Sequence, residues 1–95
     1  MKSTLPSVDL LEKMHEFPSP YLFKIIGIAE EGIAARVIAI VREELAIDVD
    51  PQYSLREAVG GRHVSVTLEP VVQSAQQVLA IYRRLSALES LVMLF

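Results

Sequence analysis

The chain has 95 residues, 52% of them apolar, and a net charge of −3. This size permits one domain with a single core, and the lack of cysteine excludes disulfides and thiolate metal sites. The slightly acidic balance argues against a non-specific nucleic-acid binder. The first seven residues lack an apolar signal region, and no apolar run approaches the roughly 20 residues of a membrane span. We therefore expect a cytoplasmic protein with no nucleic-acid and no membrane partner.

The first 15 residues are predicted to form an extension ahead of a domain that covers residues 16–95. Ser7 is a suitable N-cap for a short helix over residues 8–14. Because so short a helix is marginal in isolation, we expect it to dock on the domain or to fray.

The first strand and the first long helix follow. Residues 21–28 are rich in aromatic and β-branched side chains, which indicates a strand. Both faces of that strand are apolar except at Lys24, as is typical of a strand inside a sheet. Apolar side chains then recur at helical spacing over residues 33–45. Glu30 and Glu31 precede them, where negative charge favours a helix N-terminus.

Gly60 and Gly61 separate two runs in which apolar and polar residues alternate, the pattern of a β-hairpin with a two-residue turn. Such a turn places Glu57 opposite Val64. Because side chains alternate across a strand, the register assigns each residue to one of two faces. The face predicted to be covered by helices contains Tyr53, Leu55, Val59, Val64, Val66 and Leu68. The opposite face, which we call the open face, contains Ser54, Arg56, Ala58, His63, Ser65 and Thr67.

A second long helix and a last strand complete the chain. Proline is tolerated in a first helical turn, so this helix is predicted to start at Pro70. Its apolar face would consist of Val71, Ala75, Val78, Tyr82 and Leu85. Residues 91–95 form a continuous apolar run, which indicates a buried strand.

The predicted order is strand, helix, strand, strand, helix, strand. Two right-handed crossovers joined by a hairpin give a ferredoxin-like βαββαβ arrangement of the α+β class. We therefore expect one four-stranded antiparallel sheet with both helices on one face, preceded by a short helical lead. Alternative arrangements leave one of the two apolar helices without a partner.

The open face is the candidate binding surface. The first strand is predicted to add Lys24 and Ile26 to the Arg56, His63, Ser65 and Thr67 of the hairpin. The last strand adds either Leu91 and Met93 or Val92 and Leu94. Apolar residues exposed together with cations and hydroxyls favour a binding surface. The pattern is compatible with a solvated sheet, with self-association or a protein partner, and with a small-molecule site.

No residue pattern indicates catalysis, a metal or a cofactor. His15 and His63 are the only histidines, and no acidic cluster has metal-ligand spacing. Ser65 lies beside His63, but nothing marks the carboxylate and oxyanion site that a nucleophile pair needs. The open face also lacks the stacking aromatics with which RNA-recognition motifs bind bases. We therefore predict a protein that is not an enzyme.

Three segments carry a resemblance to a known family. Residues 16–27 resemble the opening signature of the YbeD-like family, small bacterial proteins of largely unknown function. Residues 61–67 are similar to a strand of that family in which glycine is followed by an aromatic residue or histidine and then by serine, and residues 77–95 match its last helix and strand in spacing. The resemblance implies a ferredoxin-like fold close to the amino-acid-sensing ACT domains. It also implies a regulatory link to lipoate metabolism.

Two functional hypotheses follow. The first is a non-enzymatic regulatory or protein-interaction module that uses the open face. The second is an ACT-like sensor that binds an amino acid or a similar small metabolite. Its ligand would lie at the turn formed by Gly27, Glu30, Glu31 and Gly32, where helix N-terminal amides can meet a carboxylate.

Overall fold

An antiparallel four-stranded sheet and two long helices form the core of the protein, which is described by a computed structural model over residues 5–29 and 32–95. The helices are α1 (Val8–Met14), α2 (Ile33–Leu45) and α3 (Ala75–Ser86). The strands are β1 (Ser19–Pro20), β2 (Phe23–Ile28), β3 (Tyr53–Glu57), β4 (His63–Leu68), β5 (Val71–Val72) and β6 (Leu91–Leu94).

The strand order in the large sheet is β3-β4-β2-β6, and each neighbouring pair is antiparallel. The prediction of an α+β fold with a four-stranded antiparallel sheet is confirmed, as is the internal position of β2. The order along the chain differs in part from the predicted one, because β1 and β5 form a separate two-stranded sheet. Two-residue strands of this kind are too short to produce a periodic signal in a sequence.

The hairpin register agrees with the prediction, since Glu57 pairs with Val64 and Arg56 pairs with Ser65. The turn itself is different. The amide of Gly61 donates to the carbonyl of Ala58 at 2.9 Å, so the chain already turns between these two residues. Val59 therefore leaves the sheet and is fully exposed, and its predicted place on the helix-covered face is wrong.

The two central strands alternate as predicted. Phe23 and Ile25 of β2 are completely buried under the helices, whereas Lys24 is exposed and Ile26 is partly exposed. In β4 the buried positions are Val64, Val66 and Leu68, and they alternate with the partly exposed His63, Ser65 and Thr67. One face of the sheet is thus closed by the core and the other is open.

The two edge strands are less buried than their apolar sequences predict. Tyr53 and Leu55 point to the helix side of β3 but are 48% and 50% exposed. Met93 of β6 and Phe95, which follows this strand, are 52% and 56% exposed, so the prediction of a buried last strand is wrong. Both strands have a sheet neighbour on one side only, which leaves their outer edges uncovered.

The second long helix begins five residues later than predicted. Ser74 is its N-cap and accepts a hydrogen bond from the amide of Gln77 at 3.1 Å, a strong start signal for a helix. The residues after Pro70 form β5 instead, so Val71 is exposed and does not belong to the helical face. The remaining predicted members of that face are all buried in α3: Ala75, Val78, Tyr82 and Leu85.

Specific contacts hold the helices together. Arg84 of α3 forms ion pairs with Glu43 and Glu44 of α2 at 2.8 and 3.0 Å. These hydrogen bonds raise the pKa of the Arg84 guanidinium. The hydroxyls of Tyr21 and Tyr82 lie 3.1 Å apart. Burial, and then this hydrogen bond, raise the pKa of the Tyr82 phenol far above its usual value.

The short N-terminal helix forms where it was predicted. Ser7 caps α1 by accepting a hydrogen bond from the amide of Leu10 at 3.1 Å. Leu11 is buried in the core, and α1 contacts α3. The helix is therefore docked on the domain.

Candidate interaction surface on the open face

The strand register brings the predicted site residues onto one surface. Lys24 pairs with Thr67 and Ile26 pairs with Ser65, because β2 and β4 are direct neighbours. On the other side of β4, Ser65 also pairs with Arg56 of β3. Residues directly opposite one another point to the same face of a sheet, so all these side chains lie on the open face.

A shallow hollow of about 220 Å³ lies in the centre of this surface. Four predicted site residues line it: Ile26, Arg56, His63 and Ser65. Glu57 also borders the hollow, although its register partner is Val64 on the helix side. Lys24 and Thr67 lie beside the hollow on the same face. An apolar side chain, cations and hydroxyls are thus within reach of one ligand.

The last strand adds Met93 and Phe95 to the open face. Met93 pairs with Ile26, and the backbone of Phe95 exchanges two hydrogen bonds with that of Lys24. The Lys24 Nζ atom lies 5.9 Å from the centre of the Phe95 ring, within the range of a cation–π contact.

The sequence predicts that the last strand adds either Leu91 and Met93 or Val92 and Leu94 to the open face, and neither pair is correct as a whole. The register shifts between Ile26 and Gly27, which is the mark of a β-bulge. The shift turns Leu91 toward the core, where Leu94, the partner of Ile25, also packs, so only Met93 of the first predicted set faces outward. No feature of an unbroken apolar run locates such a shift. Phe95 was missed for a different reason: it lies two residues after Met93, and extending the alternation of the first predicted set by one step would have found it.

Two charged side chains, Lys24 and Arg56, occupy strand positions on the open face, and both are positive. Lys24 and Arg56 form no ion pair within residues 5–29 and 32–95. The ion pairs found there involve only Arg42 and Arg84, which belong to the helical side of the molecule. Since the protein as a whole has a net charge of −3, the open face differs in sign from the rest.

A second depression, of about 460 Å³, lies between α2 and the edge strand β3. Tyr53 and Leu55 of β3 and the alanines of α2 line it, and the ion pair between Arg42 and Asp50 lies at its side. The alternation of β3 predicts that Tyr53 and Leu55 are covered by the helices, so the exposure of this region was not expected. The depression exists because α2 does not extend over the sheet edge.

The predicted ligand turn is only partly described. Glu30 and Glu31 lie outside the described residues. Gly27 is buried in β2 and contacts Ile33, while Gly32 has a φ of +66° and caps α2 without a side-chain hydrogen bond. Ser90 lies next to this turn, since its carbonyl accepts a hydrogen bond from the amide of Ile28 at 3.0 Å.

Ser90 is also the one buried polar side chain in the described ranges that lacks a hydrogen-bond partner. The residue is 4% exposed, and its Oγ atom has no partner. A buried hydroxyl in this state costs stability.

Residues 5–29 and 32–95 contain neither a metal-binding cluster nor a membrane-spanning helix. No group of three or more histidine, aspartate or glutamate side chains there is arranged to hold a metal ion. The helices described are too short or too polar to cross a bilayer.

Comparison with known proteins identifies the family. The model of the family described as "Protein of unknown function (DUF493)" matches residues 12–95. A UPF0250 protein of Shewanella woodyi is 35% identical over 78 residues, which cover 82% of this chain and 86% of the relative. A UPF0250 protein of Shewanella amazonensis is 34% identical over 74 residues, which cover 78% and 82%. The chain therefore belongs to the DUF493 family of proteins of unknown function, and its resemblance to the YbeD-like proteins is confirmed.

Proposed function

We propose that this protein is a non-enzymatic regulatory module that binds another protein in the cytoplasm through its open face. The observation that carries this proposal is the uncovered cluster of Ile26, Met93 and Phe95 beside two cations. Apolar side chains exposed together mark interaction sites more often than isolated ones do. Hydroxyls and cations around such a cluster resemble the polar rim of a protein interface.

The chemistry of the surface supports binding rather than catalysis. His63 and Ser65 are neighbours on β4, but no hydrogen bond joins their side chains within the described residues. A serine nucleophile needs a base within hydrogen-bond reach and a group that orients this base. The arrangement is that of a contact surface.

The strand order β3-β4-β2-β6 and the two helices on the buried face support a ferredoxin-like arrangement close to that of ACT domains. ACT domains are regulatory, and this similarity of arrangement supports the regulatory part of the proposal. The connection with lipoate metabolism rests on the family resemblance alone.

A charge introduced into the apolar cluster tests the proposal. Ile26→Glu places a carboxylate at the centre of the surface, where desolvation in a complex is costly. The immobilised protein is used to capture partners from a cytoplasmic extract, and each captured partner is purified and titrated against it. A carboxylate buried without a partner at the centre of an interface costs more than about 1.4 kcal/mol, so we expect at least about tenfold weaker binding.

Val49→Glu is the matched control. Val49 is an exposed apolar residue between α2 and β3, away from the open face, and its replacement should leave the affinity unchanged. Circular dichroism should show native secondary structure for both variants. Equal affinities of the Ile26→Glu and Val49→Glu variants would disprove the proposed surface.

The unpartnered hydroxyl of Ser90 favours a second candidate function, an ACT-like sensor of a small metabolite. The ligand would bind at the turn between Gly27 and Gly32 and accept or donate a hydrogen bond at Ser90 Oγ. Thermal unfolding in millimolar amino acids and lipoyl compounds tests this, because a ligand that binds the folded state raises the melting temperature.

A matched variant sharpens this test. Ser90→Ala removes the unsatisfied hydroxyl and should raise the stability of the ligand-free protein by about 1 kcal/mol. The same variant should abolish any ligand-induced shift. Melting temperatures that do not respond to any of these compounds would argue against the sensor.

A further inference from the structure

We propose that the partner of the open face is an acidic polypeptide segment, with carboxylates on either side of an apolar side chain, and not a second copy of this chain. This inference rests on the proposed function, because it names the partner of the same surface. It derives from the sign and the spacing of the charges on the open face.

The sign of the charges is uniform along the strands. The outward positions of β2, β3 and β4 hold two charged side chains, Lys24 and Arg56, together with His63, apolar and hydroxyl residues, and no acid. Glu57 borders the hollow but belongs to the helix side in register. Glu69 lies beyond the end of β4. A ligand over the centre of the face therefore lies between two cations, with Glu57 as the one acid that borders the hollow.

This charge pattern disfavours self-association through the open face. A two-fold symmetric contact places the same patch of both copies together. Such a contact would bring the Lys24 and Arg56 of both copies into one interface whose strand positions hold no acid, and like charges brought together in an interface oppose binding. An acidic partner is attracted by the same cations, even though the protein has a net charge of −3.

The spacing of the cations fits an extended segment. Lys24 and Arg56 are separated by two strand spacings and by two residues along the strands, which amounts to roughly 12 Å between their Cα atoms. In an extended peptide, side chains four residues apart point to the same side and are about 13 Å apart. The residue midway between them shares that side, so it can contact Ile26 or the hydroxyls of Ser65 and Thr67.

A designed peptide serves as the probe. It has nine residues and capped ends, with glutamate at every fourth position, leucine midway between successive glutamates and serine elsewhere. Titration to about 10 mM into the ¹⁵N-labelled protein should shift the amide resonances of Lys24, Ile26, Arg56 and Ser65. A peptide with lysine in place of each glutamate should not shift them.

Charge reversal provides the matched comparison. The double variant Lys24→Glu, Arg56→Glu should bind the acidic peptide about three- to tenfold more weakly, as expected for the loss of two exposed ion pairs. Arg36 and Arg83 are exposed cations of α2 and α3. Reversal of both changes the net charge equally and should leave the affinity unchanged.

Several results would overturn this inference. They are equal binding of the two peptides, shifts confined to residues outside the open face, no shift at 10 mM, and tighter binding of a ten-nucleotide uridine RNA. Sedimentation that reveals a dimer, which Ile26→Glu dissociates, would assign the face to a second copy instead.

The affinity of the captured partner for the two variants distinguishes a failure of this inference from a failure of the proposed function. If Ile26→Glu weakens its binding and reversal of Lys24 and Arg56 does not, the open face is the interface but its partner is not recognised by acidic residues. If neither change weakens binding, the proposed function fails as well.

Discussion

Replacement of Gly27 by alanine tests how closely β2 and α2 approach. A Cβ atom at Gly27 would overlap the Ile33 side chain and lie 3.0 Å from the carbonyl oxygen of Ser90. Ile33 is completely buried, and the Ser90 carbonyl is held by its hydrogen bond from Ile28. Neither neighbour can move without disturbing the core.

The expected loss can be estimated from these contacts. An extra methyl group in a packed core costs about 1–3 kcal/mol, and replacement of glycine stabilises by about 0.4–1 kcal/mol through the unfolded chain. Gly27→Ala should therefore lower the free energy of unfolding by about 1–2 kcal/mol. For a domain of this size that is a fall of about 5–15 °C in the melting temperature. Urea denaturation followed by circular dichroism measures the free energy directly.

A double-mutant cycle identifies the cause of this loss. Ile33→Val removes the overlapping methyl group and alone costs about 0.5–1.5 kcal/mol. In the Gly27→Ala background it should cost much less, because it relieves the overlap. Gly32→Ala is the control: its cost of about 1–2 kcal/mol arises from the left-handed backbone, and Ile33→Val should not reduce it. Additive effects of Gly27→Ala and Ile33→Val would refute the reasoning.

Three other predictions have defined outcomes. Because the pKa of Tyr82 is raised in the folded state, its phenol does not affect stability below pH 10. Above pH 10 the unfolded phenol loses its proton, and the free energy of unfolding falls by up to about 1.4 kcal/mol per pH unit. Tyr82→Phe should remove this part of an alkaline denaturation profile, and an unchanged profile would contradict the assignment. Arg84→Ala breaks exposed ion pairs and should cost less than about 1 kcal/mol, a difference that 1 M salt should abolish. In urea denaturation, Ile25→Ala should lower the free energy of unfolding by about 2–5 kcal/mol. Ile26→Ala should lower it by less than about 1 kcal/mol, because only Ile25 is fully buried. Similar losses for the two variants would show that the two faces of β2 are misassigned.

The hairpin was predictable because its information is local. Alternation with a period of two residues, interrupted by Gly60 and Gly61, fixes both the pairing partners and the faces of the side chains in β3 and β4, although not in the turn that joins them. Arg56, His63, Ser65 and Thr67 therefore lie on one surface, as the sequence predicts. The cap of α1 at Ser7 was predictable for the same reason, since a cap bonds within its own first turn.

The features that sequence reasoning missed depend on distant parts of the chain. The pairing of β1 with β5 joins segments about fifty residues apart. Because residues 71–72 form β5, α3 begins at Ala75 and not at Pro70 as predicted. The depression between α2 and β3, which Leu55 lines, depends on how far α2 extends over the sheet. Neither relation leaves a periodic signal within a window of ten or fifteen residues.

The sequence by itself determined which residues share a face, because alternation along a strand and spacing along a helix are properties of the local backbone. Only the tertiary structure decided which faces are covered. An apolar edge strand such as β6 has the same sequence pattern as a buried one, and its exposure depends on whether another element lies over it. The placement of Met93 and Phe95 beside Lys24, on which the proposed interface depends, was set by the register in which β6 and the residue after it pair with β2.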